Sequence, residues 1–317
     1  MKLSVILPVY NRADSLGPAI ASVLDQTRPA HEVIVIDDGS TDDLTAALAP
    51  FKDRIRVLRQ ENAGVAAARN TAAQAATGDW LTFQDSDDLW SPDHLAVAAR
   101  DLKGAGADVV AHLGDVTYTG AGYTESLFDI KQRSFPAEHA ERLDDPLPLV
   151  ISGMTLQGAA IRRDAFIALG GFDTGMRMLS DTAFFCQLAL EGPFLVTGKS
   201  VAEIRRLEGD EEAITSLHRK NAVYARQMSL RGLAALAARR DLSPAQRVLA
   251  DRMQAGAEFR LAQAMHGADP RAARRLLWQA ARRHPEPLKG WIKSLAAATL
   301  GARGYHMVIT DRSLDRS

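Results

Sequence analysis

Over its first 110 residues the chain alternates short β-branched runs with stretches whose apolar residues return every three or four positions. Lys2–Pro8 and Glu32–Ile36 show no in–out alternation, so each reads as a strand buried on both faces. Between them Asp14 is expected to cap a helix with Leu16, Ile20, Val23 and Leu24 on one side. A helix over 42–49, a strand over 55–58, an alanine-rich helix over 64–76 and a strand at Trp80–Phe83 follow. Ser91-Pro92 reads as the N-cap and first position of the next helix, and Asp108–Ala111 as a further strand.

Strands that alternate with helices predict an α/β fold with a doubly wound, mostly parallel sheet. Ligands of such sheets sit beyond the carboxyl ends of the strands. Three polar clusters fall there: Pro8-Val9-Tyr10-Asn11, Asp37-Asp38-Gly39-Ser40 and Asp85-Ser86-Asp87-Asp88. Residues 112–150 are rich in Gly, Pro and charge and read as a loop over the site. A strand over Thr155–Ile161, a helix over Arg163–Leu169, a turn at Gly170-Gly171-Phe172-Asp173 and a helix over 181–191 come next. From residue 217 onward everything reads as helix, with starts at Ser243-Pro244 and Asp269-Pro270. Residues 269–285 resemble one half of a helical-repeat unit.

The net charge of −1 hides two opposite halves. Residues 1–216 hold 19 Lys+Arg against 32 Asp+Glu, whereas residues 217–317 hold 19 against 7. This break predicts two domains, 1–215 and 216–317. The basic part suits a membrane surface, an acidic partner, the chain's own acidic half or a homodimer contact. No nucleic-acid-binding motif accompanies the charge. Trp278 and Trp291 suit core or interfacial positions. One cysteine, Cys186, gives no disulfide, and no apolar run reaches membrane-spanning length. The expected location is cytoplasmic, or peripheral at the inner face of the membrane.

Three carboxylates within four residues repel one another, and a hard divalent cation relieves that repulsion. The alternative for Asp85-Ser86-Asp87-Asp88 is a solvated turn that caps the next helix. A carboxylate at Asp37 or Asp38 can accept from a nucleobase N–H or a ribose hydroxyl; otherwise the segment is a simple turn. Tyr10 suits a ring laid on a base or a core position. Asn62-Ala63-Gly64 opens a helix, and Arg69 one turn in suits phosphate or a surface salt bridge. No G-x-G-x-x-G and no Walker-type loop occurs, which argues against nicotinamide enzymes and NTPases.

Taken in order, Pro8-Val9-Tyr10-Asn11, Ile36-Asp37-Asp38-Gly39-Ser40-Thr41-Asp42, Asn62-Ala63-Gly64 with Ala68-Arg69-Asn70, and Asp85-Ser86-Asp87-Asp88 resemble the inverting glycosyltransferases of family 2. Gly170-Gly171-Phe172-Asp173 followed by Ser180-Asp181 resembles that family's acceptor side. The resemblance covers about residues 1–210. It implies a GT-A fold with a C-terminal all-α annex, and a nucleoside-diphosphate-sugar donor, UDP-linked by preference. The acceptor it implies is a saccharide, lipid-linked or protein hydroxyl. It also implies a divalent metal, Mn²⁺ or Mg²⁺, on Asp87 and Asp88. The donor would lie against Pro8, Tyr10, Asn11, Asp37, Asp38, Asn62, Arg69, Asp85 and Asp87, with Arg206 of the Arg205-Arg206 pair closing on the diphosphate. Asp181 falls on the catalytic base. Ser180 replaces the family's glutamate, and Gln187 stands where an arginine is usual. These departures keep open a non-catalytic relative that binds nucleotide sugar or carbohydrate.

Overall fold

The computed structural model describes residues 1–120, 122–206 and 221–283. The chain divides into two compact units, Met1–Asp210 and Glu211–Ser317. The expected boundary at 215/216, the last two positions of the 269–285 segment and Trp291 lie outside the described residues.

Among the described residues the first unit is built on one ten-stranded sheet, ordered β3 (Arg56–Arg59), β2 (Glu32–Asp37), β1 (Leu3–Val9), β4 (Trp80–Phe83), β9 (Ala159–Arg162), β6 (Ala111–Gly120), β10 (Phe194–Arg205) and β5 (Leu89–Trp90), with β7 (Tyr123–Ser126) beside β6 and β8 (Glu141–Leu143) beside β10. The first four strands in the chain pair in parallel: Val9 lies opposite Asp37, and Asp37 opposite Arg59. The uniform apolar runs are explained by burial on both faces. Leu7, Val9 and Val35 form one cluster with Leu16, Ala19 and Ile20 of α1 (Ala13–Leu24) and Leu44 and Leu48 of α2 (Leu44–Leu48). A fully buried leucine or isoleucine here contributes on the order of 2 kcal/mol. The helix α3 (Val65–Ala75) packs on β1 and β2 as well.

Two helix starts differ from expectation because tertiary partners replace local caps. α1 begins after Arg12, not Asp14, and the Ala13 N–H donates to Asp42 Oδ2 at 2.8 Å. α4 (His94–Leu102) begins after Asp93. The carbonyls of Ser91 and Pro92 are engaged by the Gln26 side chain (2.7 Å) and the Thr27 N–H (2.8 Å), which holds this segment out of the helix.

The larger correction concerns residues 112–150, which are not a loop. They carry most of β6 (Ala111–Gly120), then β7 (Tyr123–Ser126), α5 (Leu127–Ile130), β8 (Glu141–Leu143) and α6 (Leu147–Ser152). β6 runs parallel to β10 (Phe194–Arg205) and antiparallel to β9 (Ala159–Arg162), with the two-residue β5 (Leu89–Trp90) against β10. The glycines explain the misreading. A Cβ on Gly114 would come 2.6 Å from Val201, and one on Gly158 2.4 Å from the Gly114 carbonyl. Gly114 is a close-approach position inside β6, not a loop residue, and Gly158 sits in the turn just before β9. α7 (Arg163–Ala168) and α8 (Ser180–Leu188) complete the unit.

In the second unit α9 (Ala222–Ala237), α10 (Pro244–Met265) and α11 (Pro270–Arg283) are helices, as expected. Ser243 and Gln246 form a capping box at the start of α10. Asp269 accepts from the Ala272 N–H at 2.9 Å at the start of α11. Ala262 of α10 packs with Ala273 and Leu277 of α11.

Candidate active site

The loops after β1 and β2 are fastened to each other. Asn11 takes a left-handed backbone (φ 49°), a conformation asparagine tolerates better than most residues. Its N–H donates to Ser40 Oγ at 3.0 Å, and its Oδ1 accepts from the Thr41 N–H at 2.8 Å. Tyr10 beside it is exposed, which places it outside the core. Pro8 is buried within β1, opposite Ile36.

Asp37 and Asp38 are both buried, and both are hydrogen-bonded within the protein. Asp37 accepts from the Ser40 N–H at 2.8 Å and from Arg59 at 2.6 Å. One Asp38 oxygen accepts from Gln60 Nε2 (2.8 Å) and the Ala63 N–H (2.9 Å), and the other from the Gly64 N–H (2.8 Å). Three of about four lone-pair sites are thus filled, which leaves room for one more donor. Gly39 is required here: its φ is 82°, and a Cβ would come 2.8 Å from the Asn62 nitrogen. Asn62 itself is exposed at the rim.

The acidic run follows β4 as a turn. Asp85 is held at both oxygens, by Arg69 at 2.5 Å and by Gln157 Nε2 at 2.7 Å. Arg69 is therefore neither a surface salt bridge nor an open phosphate contact. It is buried, with its guanidinium also 5.9 Å from the centre of the Phe172 ring. Asp88 is buried, and one of its oxygens accepts the Arg205 N–H at 3.0 Å. The Arg205 Nε–H donates to the Asp87 carbonyl at 2.9 Å, so the end of β10 holds the turn in place. Burial, then the carboxylates of Asp85 and Asp87, push the Asp88 carboxyl up to about 8.

Burial and crowded negative charge thus act together on Asp88, and hard oxygen donors at Asp87 and Asp88 fit a divalent ion. Among the described residues no three His, Cys, Asp or Glu side chains converge as a closed metal site. The arrangement instead fits an ion whose remaining positions are filled by water and phosphate oxygens.

On the other side of the site, Asp181 lies in the first turn of α8 and is half-buried, and its Oδ1 accepts the Thr182 N–H at 2.7 Å. Leu179 before the helix is left-handed (φ 60°), a strained conformation for a bulky residue and one that clusters at functional sites. Tyr118 at the end of β6 connects the two sides. Its phenol is pushed up first by burial and also by the charges of Asp88 and Asp181, while Arg206 pulls it down. The exposed Arg206 guanidinium lies 5.1 Å from the Tyr118 ring centre.

Gln60, Gln157 and Tyr118 were not singled out in the sequence. Gln157 had a signal, because it is a polar residue inside an otherwise apolar strand-like stretch. Tyr118 had none, since it lies in the segment taken for a loop.

A family model described as glycosyl transferase family 2 matches residues 4–170. The chain is 30% identical over 225 residues to the succinoglycan biosynthesis protein ExoW of Rhizobium meliloti, across 64% of this chain and 68% of that protein. It is 46% identical over 104 residues to an uncharacterized glycosyltransferase of Rickettsia conorii. That match takes in 32% of this chain and spans only 17% of that longer protein. Among solved structures, S. aureus TarS 1–349 in complex with UDP-GlcNAc superposes with a TM-score of 0.71 at 19% identity, across 97% of this chain and 90% of that one. The mannosyltransferase PcManGT of Pyrobaculum calidifontis, in complex with GDP-Man and Mn²⁺, gives 0.57 at 20% identity, across 100% and 88%. At such identities the likeness to these two is one of fold.

Proposed function

Because this chain belongs to glycosyl transferase family 2, we propose that it transfers a sugar, with inversion, from a UDP-linked donor to a hydroxyl group during cell-surface polysaccharide, glycolipid or glycoprotein synthesis. The GT-A fold that the motifs imply is the fold of the first unit. The observation that supports the proposal is the meeting of Asn11, the buried Asp37 and Asp38 and the buried Asp88 at the carboxyl ends of β1, β2 and β4, with Asp88 and Asp181 both pushing the Tyr118 phenol up.

In this reading residues 1–215 do the chemistry. The loops around Asn11, Asp38 and Asn62 hold the nucleoside, with Tyr10 against the base and one acceptor site left on Asp38. Pro8 and Asp37 shape that wall from within. Asp85 and Arg69 fix the turn from below. Asp87 and Asp88 are the residues that would hold Mn²⁺ or Mg²⁺, which supplies Lewis-acid charge to the diphosphate when bound. Arg206 approaches the same diphosphate from solvent. Asp181 accepts the proton of the acceptor hydroxyl as its oxygen bonds to the anomeric carbon and the sugar–phosphate bond breaks, releasing UDP. A single base on the face opposite the leaving group gives inversion.

A panel of UDP-glucose, UDP-galactose, UDP-GlcNAc and GDP-mannose, read by nucleotide release with Mn²⁺ or with EDTA, tests this. Release from a UDP-sugar that is lost in EDTA is expected. Release from none of them, with UDP still bound, would support the non-catalytic relative.

For residues 216–317 we propose contact with an anionic membrane surface. Among the described residues no helix is long and apolar enough to cross a membrane. Arg271, Arg274, Arg275 and Arg282 nevertheless share one face of α11 with the exposed Trp278. None of these four pairs with a carboxylate among the described residues. Basic residues around a tryptophan suit an interface of anionic headgroups. Co-sedimentation with phosphatidylglycerol vesicles that weakens in salt is expected. Concentration-dependent self-association without vesicle binding would instead make this a homodimer surface.

A further inference from the structure

The Ala68-Arg69-Asn70 motif contains one residue with no part in the site described so far. Asn70 follows Arg69 in α3, and its side chain reaches a residue 102 positions later in the chain. Its Nδ2 donates to the Phe172 carbonyl at 2.8 Å, and its Oδ1 accepts the Phe172 N–H at 2.9 Å. One side-chain amide thus takes both polar groups of one backbone residue. The fit is close: a Cβ on Gly171 would stand 2.5 Å from Asn70 Oδ1, and Gly171 also has a positive φ of 73°.

Phe172 is buried, and its ring joins the two sides of the site. It lies edge-on to Phe83, the last residue of β4, at 5.5 Å, and edge-on to Phe184 of α8 at 5.1 Å. Phe184 is three residues after Asp181, so the two lie one helical turn apart. Consecutive residues of α3 therefore grip both sides. Arg69 holds Asp85 of the acidic run, and Asn70 holds the turn that leads to Asp181.

We propose that Asn70 is a positioning residue that sets where Asp181 stands relative to the donor. This rests on the reading of Asp181 as the base. A purely structural role for Asn70 would weaken nucleotide binding and turnover together. A positioning role separates them, because a displacement of about 1 Å in a reacting group costs up to roughly a hundredfold in rate.

The test compares Asn70→Ala and Asn70→Asp with the natural protein. UDP affinity is measured by calorimetry in Mn²⁺, and turnover with the UDP-sugar that releases most UDP in the donor panel. Asn70→Ala is expected to lose about tenfold to a hundredfold in turnover, with UDP affinity within about twofold. Amide exchange over residues 171–184 should quicken while that over 81–90 stays unchanged. Asn70→Asp keeps the acceptor for the Phe172 N–H and loses less; it is the variant to read if Asn70→Ala does not fold. Unchanged turnover in the folded variants, or UDP affinity that falls in step with turnover, overturns the proposal. Asp181→Asn distinguishes the two readings. If that variant stays active while Asn70→Ala loses turnover at unchanged UDP affinity, Asn70 still positions α8 and only the choice of base fails.

Discussion

The two sides of the site are held by different forces. Around β1, β2 and β4 the carboxylates of Asp37, Asp38 and Asp85 are fixed by hydrogen bonds from Ser40, Arg59, Gln60, Ala63, Gly64, Arg69 and Gln157. Around α8, Asp181 accepts a hydrogen bond from its own neighbour, Thr182, and the helix beneath it is held by packed rings: Phe166, Phe172 and Phe184. Directional bonds fix where charge sits, as the proposed donor site needs. Packed rings fix an orientation and leave the carboxylate with unused acceptor capacity, as a proton acceptor needs.

Breaking the packed side should cost the most stability. Phe172→Ala removes a ring shared by β4, α7 and α8, and is expected to destabilise the protein by about 3–5 kcal/mol, read by urea unfolding. A loss under about 1 kcal/mol would mean that the rings do not carry α8. On the bonded side the effect should appear in binding. Asp88→Ala is expected to lower UDP affinity in Mn²⁺ by about a hundredfold, near 2.7 kcal/mol. An Asp88→Ala variant that keeps the natural Mn²⁺ dependence of UDP affinity would move the cation elsewhere.

The contrast also extends to pH. The Asp88 carboxyl is raised to about 8 in the folded metal-free protein, from an ordinary value of 3.8. Between those values the folded state binds more protons than the unfolded one, so metal-free stability should fall as pH rises from about 4 to about 8. Urea midpoints in EDTA at several pH values check this, and Asp88→Asn should flatten much of the slope.

The same division governed what could be read from the chain. The side proposed to hold the donor is formed by strand ends and the loops that follow them, so uniform apolar runs followed by Asp and Asn clusters are enough to place its residues together. They did not show which way each side chain faces. Arg69 reads as a phosphate contact or a surface salt bridge and is buried on Asp85, because its partner lies 16 residues later, in the turn after β4. The acceptor side is assembled from distant segments. Gly114 lies where β6 and β10 approach closely and reads as a loop glycine, so β6, and Tyr118 with it, is not apparent in the sequence. Asn70 was visible as part of a motif, but its partner Phe172 is fixed only by the tertiary fold.

In the proposed function, donor holding and proton acceptance belong to different sides of the site. Asp181→Asn tests it most directly, because asparagine keeps the shape and removes the base. Measured together, turnover should fall by about a thousandfold or more, in the range seen when a general base is lost, and UDP affinity in Mn²⁺ should stay within about twofold. Near-natural turnover in that variant, or UDP affinity lost along with turnover, would contradict the account.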